Sequence, residues 1–98
     1  MTVIVNLQFS ANKGKINDCI AFMKSGEGIE LTRKQKGLQK MEVAIDETNN
    51  KFAYWEHWDS VEDFNTYFAW RQDKYGNQMQ ELFDMETFKF EIIPFADI

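Results

Sequence analysis

The feature that most constrains the fold is the alternation of side chains over residues 2–9. Val3, Val5 and Leu7 fall on one face of an extended chain, whereas Asn6 falls on the other. A period of two residues predicts a β-strand with one buried face. The turn-forming stretch Ser-Ala-Asn-Lys-Gly that follows is expected to end this strand.

Two further strands are predicted at residues 38–46 and 51–58, which show the same alternation. Only the short polar stretch Asp-Glu-Thr-Asn-Asn separates them, so they should pair as an antiparallel hairpin. A last strand is expected from Phe88 to Phe95, closed by Pro94, the lone proline of the chain.

Helical patterns occupy the connection between the first and second strands. An apolar stripe runs from Ile16 to Met23, and the two glycines within residues 25–28 should bend or weaken that helix, since an interior glycine costs about 1 kcal/mol against alanine. A second helical piece is expected from Ile29 to Gln35, with Gly37 placed to end it.

A second helix is predicted after the hairpin. Ser60, with an acid three residues later at Asp63, is a variant of the capping box. The helix behind it carries apolar residues and an arginine on one side between positions 64 and 71. Residues 73–76 are expected to interrupt it, before a short helical piece over 78–83. The element order is therefore β-α-β-β-α-β, which is an α+β fold.

Length and composition set the broad class. The 98 residues (1–98) form one domain, and 44% apolar and 15% aromatic residues supply ample core. A net charge of −5 argues against binding to a nucleic-acid backbone. The only basic cluster, Arg33, Lys34 and Lys36, fits a solvated helix end.

The compartment is expected to be the cytoplasm. Cys19 is the only cysteine, which excludes an intrachain disulfide. The N-terminal residues lack the basic leader and apolar core of a signal peptide, and no apolar run approaches the roughly 20 residues that span a bilayer. No membrane partner is therefore expected. The sequence also offers no cluster of His and Cys ligands, so no metal site is expected.

The predicted strands are apolar on both faces. On the third strand Tyr54 and Trp55 point to opposite sides, and on the fourth Phe90 and Ile93 do the same. Two helices cover only one side of a four-stranded sheet, which leaves a bare face on the order of 400 Å². A homodimer packed sheet to sheet is the expected solution. Three polar residues leave open the alternative that this face is merely mixed in polarity: Lys89, Glu91 and His57.

The segment from Phe52 to Arg71 resembles the antibiotic biosynthesis monooxygenase (ABM) family. That family has a Phe-rich strand ending in Glu-x-Trp and then a Ser-capped helix, here Glu56, Trp58 and Ser60. The resemblance implies a ferredoxin-like βαββαβ fold, with a four-stranded antiparallel sheet, helices on one face, and pairing into a dimeric α+β barrel. The family includes cofactor-free oxygenases of polyphenols and quinols, haem-degrading enzymes, and members without known activity.

The haem-degrading branch of the family matches the chain in part. Asn6 and Trp58 stand at places that match the strand residues of that branch, but Tyr67 or Phe68 stands where it has a histidine. The only histidine, His57, follows Glu56 on a strand and so points to the opposite face. The resemblance therefore implies no axial haem ligand from this helix, and haem binding without turnover stays open.

A cleft between the third strand and the helix that follows Ser60 is the candidate site. Tyr54 and Glu56 share one strand face with Trp58, and Tyr67 and Arg71 share one helix face by their spacing of four. If the two faces meet, they enclose aromatic walls with a few polar groups, the usual composition of a ligand pocket. A purely structural alternative has Tyr67 and Trp58 in the core and Arg71 paired with Glu56 or with Asp63.

The resemblance and this cleft together suggest a cofactor-independent monooxygenase for a small phenol or quinol, with no cofactor and no metal. Arg71 would supply positive charge and Glu56 would be the base, while Asn6 and Tyr67 would donate hydrogen bonds to a developing oxyanion. The rival hypothesis is a non-catalytic binding or regulatory dimer for a small aromatic ligand. The expected substrate-binding residues are Trp58, Tyr54, Phe64 and Phe68.

Overall fold

A computed structural model describes all residues from 1 to 98. Four strands form one antiparallel sheet in the order β2-β3-β1-β4, and the helices lie on one of its faces. This arrangement confirms the predicted ferredoxin-like α+β fold. The elements, in chain order, are β1 (Val3–Ala11), α1 (Ile16–Lys24), α2 (Ile29–Arg33), β2 (Leu38–Asp46), β3 (Lys51–Trp58), α3 (Val61–Leu82) and β4 (Phe83–Pro94).

Strand β1 is the centre of the sheet and explains why the core lies on one face. It pairs with β3 and with β4, and Val5 is the register partner of both Glu56 and Ile92. Residues in register share a face, so the alternating side chains of β1 set the buried side for its neighbours. Val5 itself is fully buried. The β2–β3 hairpin adds the fourth strand at the edge, as predicted.

The helices bury this face of the sheet. Helix α1 contributes Cys19 and Met23, as its apolar stripe predicts. Helix α3 begins at Ser60, whose side chain accepts a 3.1 Å hydrogen bond from the backbone amide of Asp63, which confirms the predicted cap. The buried residues of α3 recur every three or four positions: Phe64, Tyr67, Arg71, Tyr75, Met79 and Leu82.

The C-terminal third of the chain differs from the sequence interpretation. Residues 73–76 do not interrupt α3, and no separate helical piece covers 78–83. The buried stripe continues through Tyr75 to Leu82, and burying such side chains outweighs the roughly 1 kcal/mol that Gly76 costs in a helix. Strand β4 therefore starts at Phe83, and its register with β1 shifts between Gln8 and Ser10.

The bend between α1 and α2 requires a glycine at position 28. A Cβ atom there would overlap the backbone carbonyls of Phe22 and Met23, at the end of α1. At Gly26, by contrast, a Cβ atom would meet nothing within 4 Å. The predicted break at residues 25–28 is confirmed, and its tight point is Gly28.

The outer face of the sheet carries no helix. It exposes Trp55, Ile93 and Phe95, which are 41%, 53% and 42% exposed. Charged side chains share this face, among them Lys89 and Glu91, the register neighbours of Gln8 and Asn6. The outer face is thus mixed in polarity, with an apolar part near the end of β4. None of the helices combines the length and apolar character that crossing a bilayer requires.

Candidate active site

A cavity lies between the inner face of the sheet and the layer formed by α3 and the α1–α2 bend. Its volume is about 80 Å³, and it opens partly to solvent. Twelve of its sixteen lining residues are hydrophobic, a count that includes two tyrosines. The polar groups come from β3, α2 and α3: Tyr54, Glu56, Thr32, Tyr67 and Arg71.

The cavity is small and partly open. Its volume of about 80 Å³ is about half of the roughly 150 Å³ of a cavity that takes up benzene, so a bound ring would extend into its opening. Phe64 and Phe68 stack on each other at 5.6 Å between ring centroids and form an aromatic wall. The walls therefore suit a planar, single-ring molecule.

Glu56 is the buried carboxyl of the cavity, with 3% of its surface exposed. Its Oε1 accepts a 2.8 Å hydrogen bond from Nε1 of Trp58. Burial raises the pKa of Glu56 to about 7, although the hydrogen bond from Trp58 and the positive charge of Arg71 oppose that rise. At neutral pH the carboxyl is thus close to half ionised, which suits a general base.

Arg71 lines the cavity with 7% of its surface exposed, and it holds the α1–α2 bend against α3. One amino group donates to the carbonyl of Glu27 at 2.6 Å, and the other donates to the carbonyl of Gly28 at 3.1 Å. The second amino group also donates to Oγ1 of Thr32 at 3.1 Å, while Nε donates to the hydroxyl of Tyr67 at 2.8 Å. Neither Glu56 nor Asp63 pairs with it, unlike the structural alternative considered from sequence.

The two cavity tyrosines differ in their hydrogen bonding. The hydroxyl of Tyr67 is held by Arg71 and by Oγ1 of Thr32, 2.5 Å away. The hydroxyl of Tyr54 has no partner in the protein, and neither has Oε2 of Glu56. Because no fully buried polar side-chain atom of the chain lacks a partner, these two atoms must face open space. Tyr54 and Glu56 thus present the free polar groups of the cavity.

Six of the eight residues proposed from sequence line this cavity, and two do not. Asn6 lies on the outer face of the sheet, because Val5 and Leu7 take the inner face of β1; its amide donates to the carbonyl of Tyr54 at 3.0 Å. Trp58 is fully buried beneath the cavity and stacks on Tyr67 at 5.5 Å, so its ring is not free to stack on a substrate. The six that line the cavity are Arg71, Tyr67, Glu56, Tyr54, Phe64 and Phe68.

The wall contributed by the α1–α2 region was not predicted from the sequence. Gly28, Ile29 and Thr32 line the cavity from that side, together with Phe22. The only local signal was Gly28 followed four residues later by Thr32, a spacing that places a small residue and a hydroxyl on one side of a helical turn. Their contact with Arg71, about forty positions away, is a tertiary feature.

A histidine-ligated haem does not fit this cavity. His57 lies on the outer face and packs near Phe95, with 5.7 Å between ring centroids, and no histidine lines the cavity. The chain also has no group of three or more His, Cys, Asp or Glu residues placed to hold a metal ion. Cys19 donates its thiol to the carbonyl of Leu82 at 3.1 Å, and burial raises its pKa to about 11, so it remains a neutral core residue.

The fold is that of small ferredoxin-like α+β proteins, and solved structures with this fold match the chain over nearly all of its length. The protein Rv0793 of Mycobacterium tuberculosis superposes with a TM-score of 0.75 at 16% identity, covering 100% of this chain and 98% of its own. A Deinococcus radiodurans protein, provisionally assigned by its name to the antibiotic biosynthesis monooxygenases, superposes with a TM-score of 0.73 at 17% identity. The match covers 98% of this chain and 94% of that protein.

A third similar structure carries a name that states an activity. SnoaB of Streptomyces nogalater, a cofactor-independent oxygenase, has a TM-score of 0.68 at 10% identity, covering 99% of this chain and 95% of its own. No family model and no curated protein matches the chain. At these identities the likeness shows the fold, which is that of ABM-like proteins, and the function has to be argued from the cavity.

Proposed function

We propose that this protein is a cofactor-independent monooxygenase that oxidises a small, single-ring phenol or quinol in the cavity. The observation that carries the proposal is Glu56, a buried carboxyl in the cavity wall whose Oε1 is held by Trp58 and whose Oε2 faces the cavity. Burial raises its pKa to about 7. A carboxyl with these properties can remove a phenolic proton at neutral pH. The fold shared with SnoaB, which is named a cofactor-independent oxygenase, supports the same reaction class.

The reaction begins with proton transfer from the substrate hydroxyl to Oε2 of Glu56. The electron-rich ring of the phenolate then adds O₂ at a ring carbon, forming a carbon–oxygen bond and, after protonation, a hydroperoxide. Loss of water from that carbon leaves a quinone. For phenol the balance is one phenol and one O₂ giving one benzoquinone and one water, so the ring supplies the four electrons that reduce O₂.

Tyr54 and Arg71 assist Glu56 in this scheme. The hydroxyl of Tyr54 donates a hydrogen bond to the phenolate oxygen, and burial keeps this hydroxyl protonated because it raises the pKa of Tyr54. Arg71 stabilises the anion through its charge, since four of its N–H groups already bind Tyr67, Thr32 and the bend. Apolar walls exclude water, which strengthens both effects.

Oxygen consumption by the purified protein with single-ring hydroquinones and catechols tests the proposal. We expect saturable uptake in the wild type and a loss of at least about 100-fold in Glu56→Gln, the contribution typical of a general base. Glu47→Gln, which neutralises an exposed carboxylate in the β2–β3 turn, is the matched control and should retain full activity. Arg71→Ala is a poor test, because it also releases the α1–α2 bend.

A rate no higher than the uncatalysed one across the panel, with tight binding of the same phenols, would replace the enzyme with a non-catalytic binding protein. One observation favours this second candidate. The hydrogen bonds of Arg71 and Tyr67 end on protein atoms, which leaves Tyr54 as the only uncharged hydroxyl free to stabilise an oxyanion. Equilibrium binding and turnover, measured on the same ligands, separate the two.

We further propose that the protein is a homodimer joined through the outer face of the sheet. Trp55, Ile93 and Phe95 give this face an exposed apolar part, and Lys89 beside Glu91 allows charge pairing across a two-fold axis. Light scattering at low micromolar concentration should give twice the mass of the chain. Ile93→Asp should yield monomers, whereas Ile45→Asp, at a site 40% exposed on the opposite face, should not; a monomeric wild type would contradict the proposal.

A further inference from the structure

Arg71 is a buried cation whose hydrogen-bond partners are all neutral. They are the hydroxyls of Tyr67 and Thr32 and two backbone carbonyls of the α1–α2 bend. The three ion pairs of the chain lie elsewhere on the surface and do not include Arg71. A buried charge without a counter-ion is costly in a medium of low dielectric constant. Arg71 is therefore the group in this region that can offset part of the cost of burying one negative charge in the cavity.

Glu56 is the residue that supplies this charge when no ligand is bound. Its neighbours in register are Val5 on β1 and Met41 on β2, which are apolar. The ionisable groups nearest it are Tyr54 on its own strand and Tyr67 and Arg71 on α3, and Cys19 on α1 lies near Tyr54. Burial raises the pKa of both tyrosines and of Cys19, so all three stay neutral near pH 7. The charge of the cavity thus depends on Glu56 and Arg71 alone.

Arg71, the single cation of the cavity, cannot balance the charges of an ionised Glu56 and an anionic ligand at the same time. Once a ligand brings a negative charge into the cavity, an ionised Glu56 would face it across an apolar space, where like charges repel strongly. A protonated Glu56 would instead donate a hydrogen bond from Oε2, beside the hydroxyl of Tyr54. A carboxylic acid kept neutral by an apolar site is an effective donor to an oxyanion.

We propose that the cavity holds a single negative charge, for which Glu56 and the bound ligand compete, so that it selects acidic phenols or enols and binds them as anions. The inference rests on the proposed function, since it assumes that a phenol occupies this cavity. A neutral phenol transfers its proton to Glu56 on binding. A ligand that arrives already ionised makes Glu56 take one proton from solvent. In both cases the bound state contains Arg71 as a cation, Glu56 as an acid and the ligand as an anion.

The test uses para-nitrophenol, whose anion absorbs visible light and whose neutral form does not. At about two pH units above the pKa of Glu56 the ligand is ionised in solution and Glu56 is ionised in the free protein. We expect the bound ligand to show the spectrum of the anion. Calorimetry in two buffers with different heats of ionisation should show uptake of close to one proton for each ligand bound. Para-nitroanisole, the methyl ether that cannot ionise, should bind without proton uptake.

The variant Glu56→Gln separates the competition from simple binding. In the wild type, affinity for the anion should fall tenfold for each pH unit above about 7, because Glu56 must first be protonated. Glu56→Gln has no charge to lose, so about two pH units above 7 it should bind the anion about 100-fold more tightly than the wild type, without proton uptake. The control Glu47→Gln should behave as the wild type does.

Three results would overturn the proposal, and they differ in what they leave standing. Anion binding without proton uptake in the wild type removes the charge competition and leaves the oxygenase proposal intact. A bound ligand with the spectrum of the neutral phenol removes the charge competition and also contradicts proton transfer to Glu56, the first step of the proposed reaction. Failure of para-nitrophenol and para-nitroanisole alike to bind removes the cavity as the ligand site, and with it both proposals. The wild-type proton count stands even if Glu56→Gln does not fold.

Discussion

Nε1 of Trp58 donates a 2.8 Å hydrogen bond to Oε1 of Glu56, two positions earlier on the same face of β3. The bond fixes the carboxyl so that its other oxygen faces the cavity, and it favours the ionised form of Glu56. Trp58 is therefore a positioning residue for the proposed base. Burial and this hydrogen bond act in opposite directions, and their balance sets the pKa of Glu56 near 7.

Trp58→Phe should raise the pKa of Glu56 further. A hydrogen bond to a charged group contributes about 1.5–3 kcal/mol, which corresponds to a rise of roughly 1–2 pKa units when it is removed. The carbon chemical shift of the Glu56 carboxyl, followed by NMR during a pH titration, measures the change directly. Trp55→Phe, on the opposite face of the same strand, should leave that titration unchanged. An unaltered pKa in Trp58→Phe would contradict the role assigned to the indole.

Glu56 should also make the protein less stable as the pH rises through neutrality. The pKa of this group rises from 4.5 in the unfolded chain to about 7 in the folded protein, so between these values the folded state binds more protons. Stability is greatest below about pH 4.5 with respect to this group and is lost as the pH rises through about 7. At about 1.36 kcal/mol per pKa unit, the loss is roughly 3 kcal/mol.

Urea unfolding of the wild type and Glu56→Gln, compared at a series of pH values, isolates this contribution. The free energy of unfolding of the wild type, minus that of Glu56→Gln, should fall by roughly 3 kcal/mol over this window. Other titrating groups cancel in the difference, because the two proteins share them. A difference that is independent of pH would mean that Glu56 titrates normally in the folded state.

Gly28 and Gly26 form a matched pair for testing the α1–α2 bend. A methyl group at Gly28 would overlap the carbonyls of Phe22 and Met23, so Gly28→Ala should destabilise the protein by about 1–3 kcal/mol, as overpacking does. Gly26→Ala meets nothing within 4 Å and should change stability by less than about 0.5 kcal/mol. Urea unfolding of both variants is the measurement, and equal effects would show that the bend is not tightly packed.

The periodicity of the strands and of α3 was sufficient to predict the sheet and four of the five polar residues of the candidate site. The spacing of two joins Tyr54 to Glu56, the spacing of four joins Tyr67 to Arg71, and the cavity brings the two pairs together. The same periodicity separates Asn6 from Val5, which places its side chain outside the cavity. The family resemblance suggests Asn6 as a site residue, and the alternation of β1 excludes it.

The rest of the site depends on packing that no local pattern encodes. Trp58 shares a strand face with Glu56, but whether its ring lines the cavity or lies beneath it is decided by Tyr67, which covers it. The partners of Arg71 at Glu27 and Gly28 are more than forty positions away in the sequence. Their hydrogen bonds satisfy a guanidinium that the sequence alone would have paired with a carboxylate.

The continuity of α3 gives the last prediction. The sequence around Gly76 predicts an interruption, yet the helix passes through it because Tyr75 and Met79 are both buried. A methyl group at position 76 would meet nothing within 4 Å, so Gly76→Ala should stabilise the protein by about 0.5–1 kcal/mol through the greater helix propensity of alanine. Gly14→Ala is the control, since its φ of 76° disfavours a side chain and should make that variant less stable by about 1 kcal/mol. Both changes are measured by urea unfolding. A loss of stability in Gly76→Ala would show that α3 does not continue as a regular helix through this position.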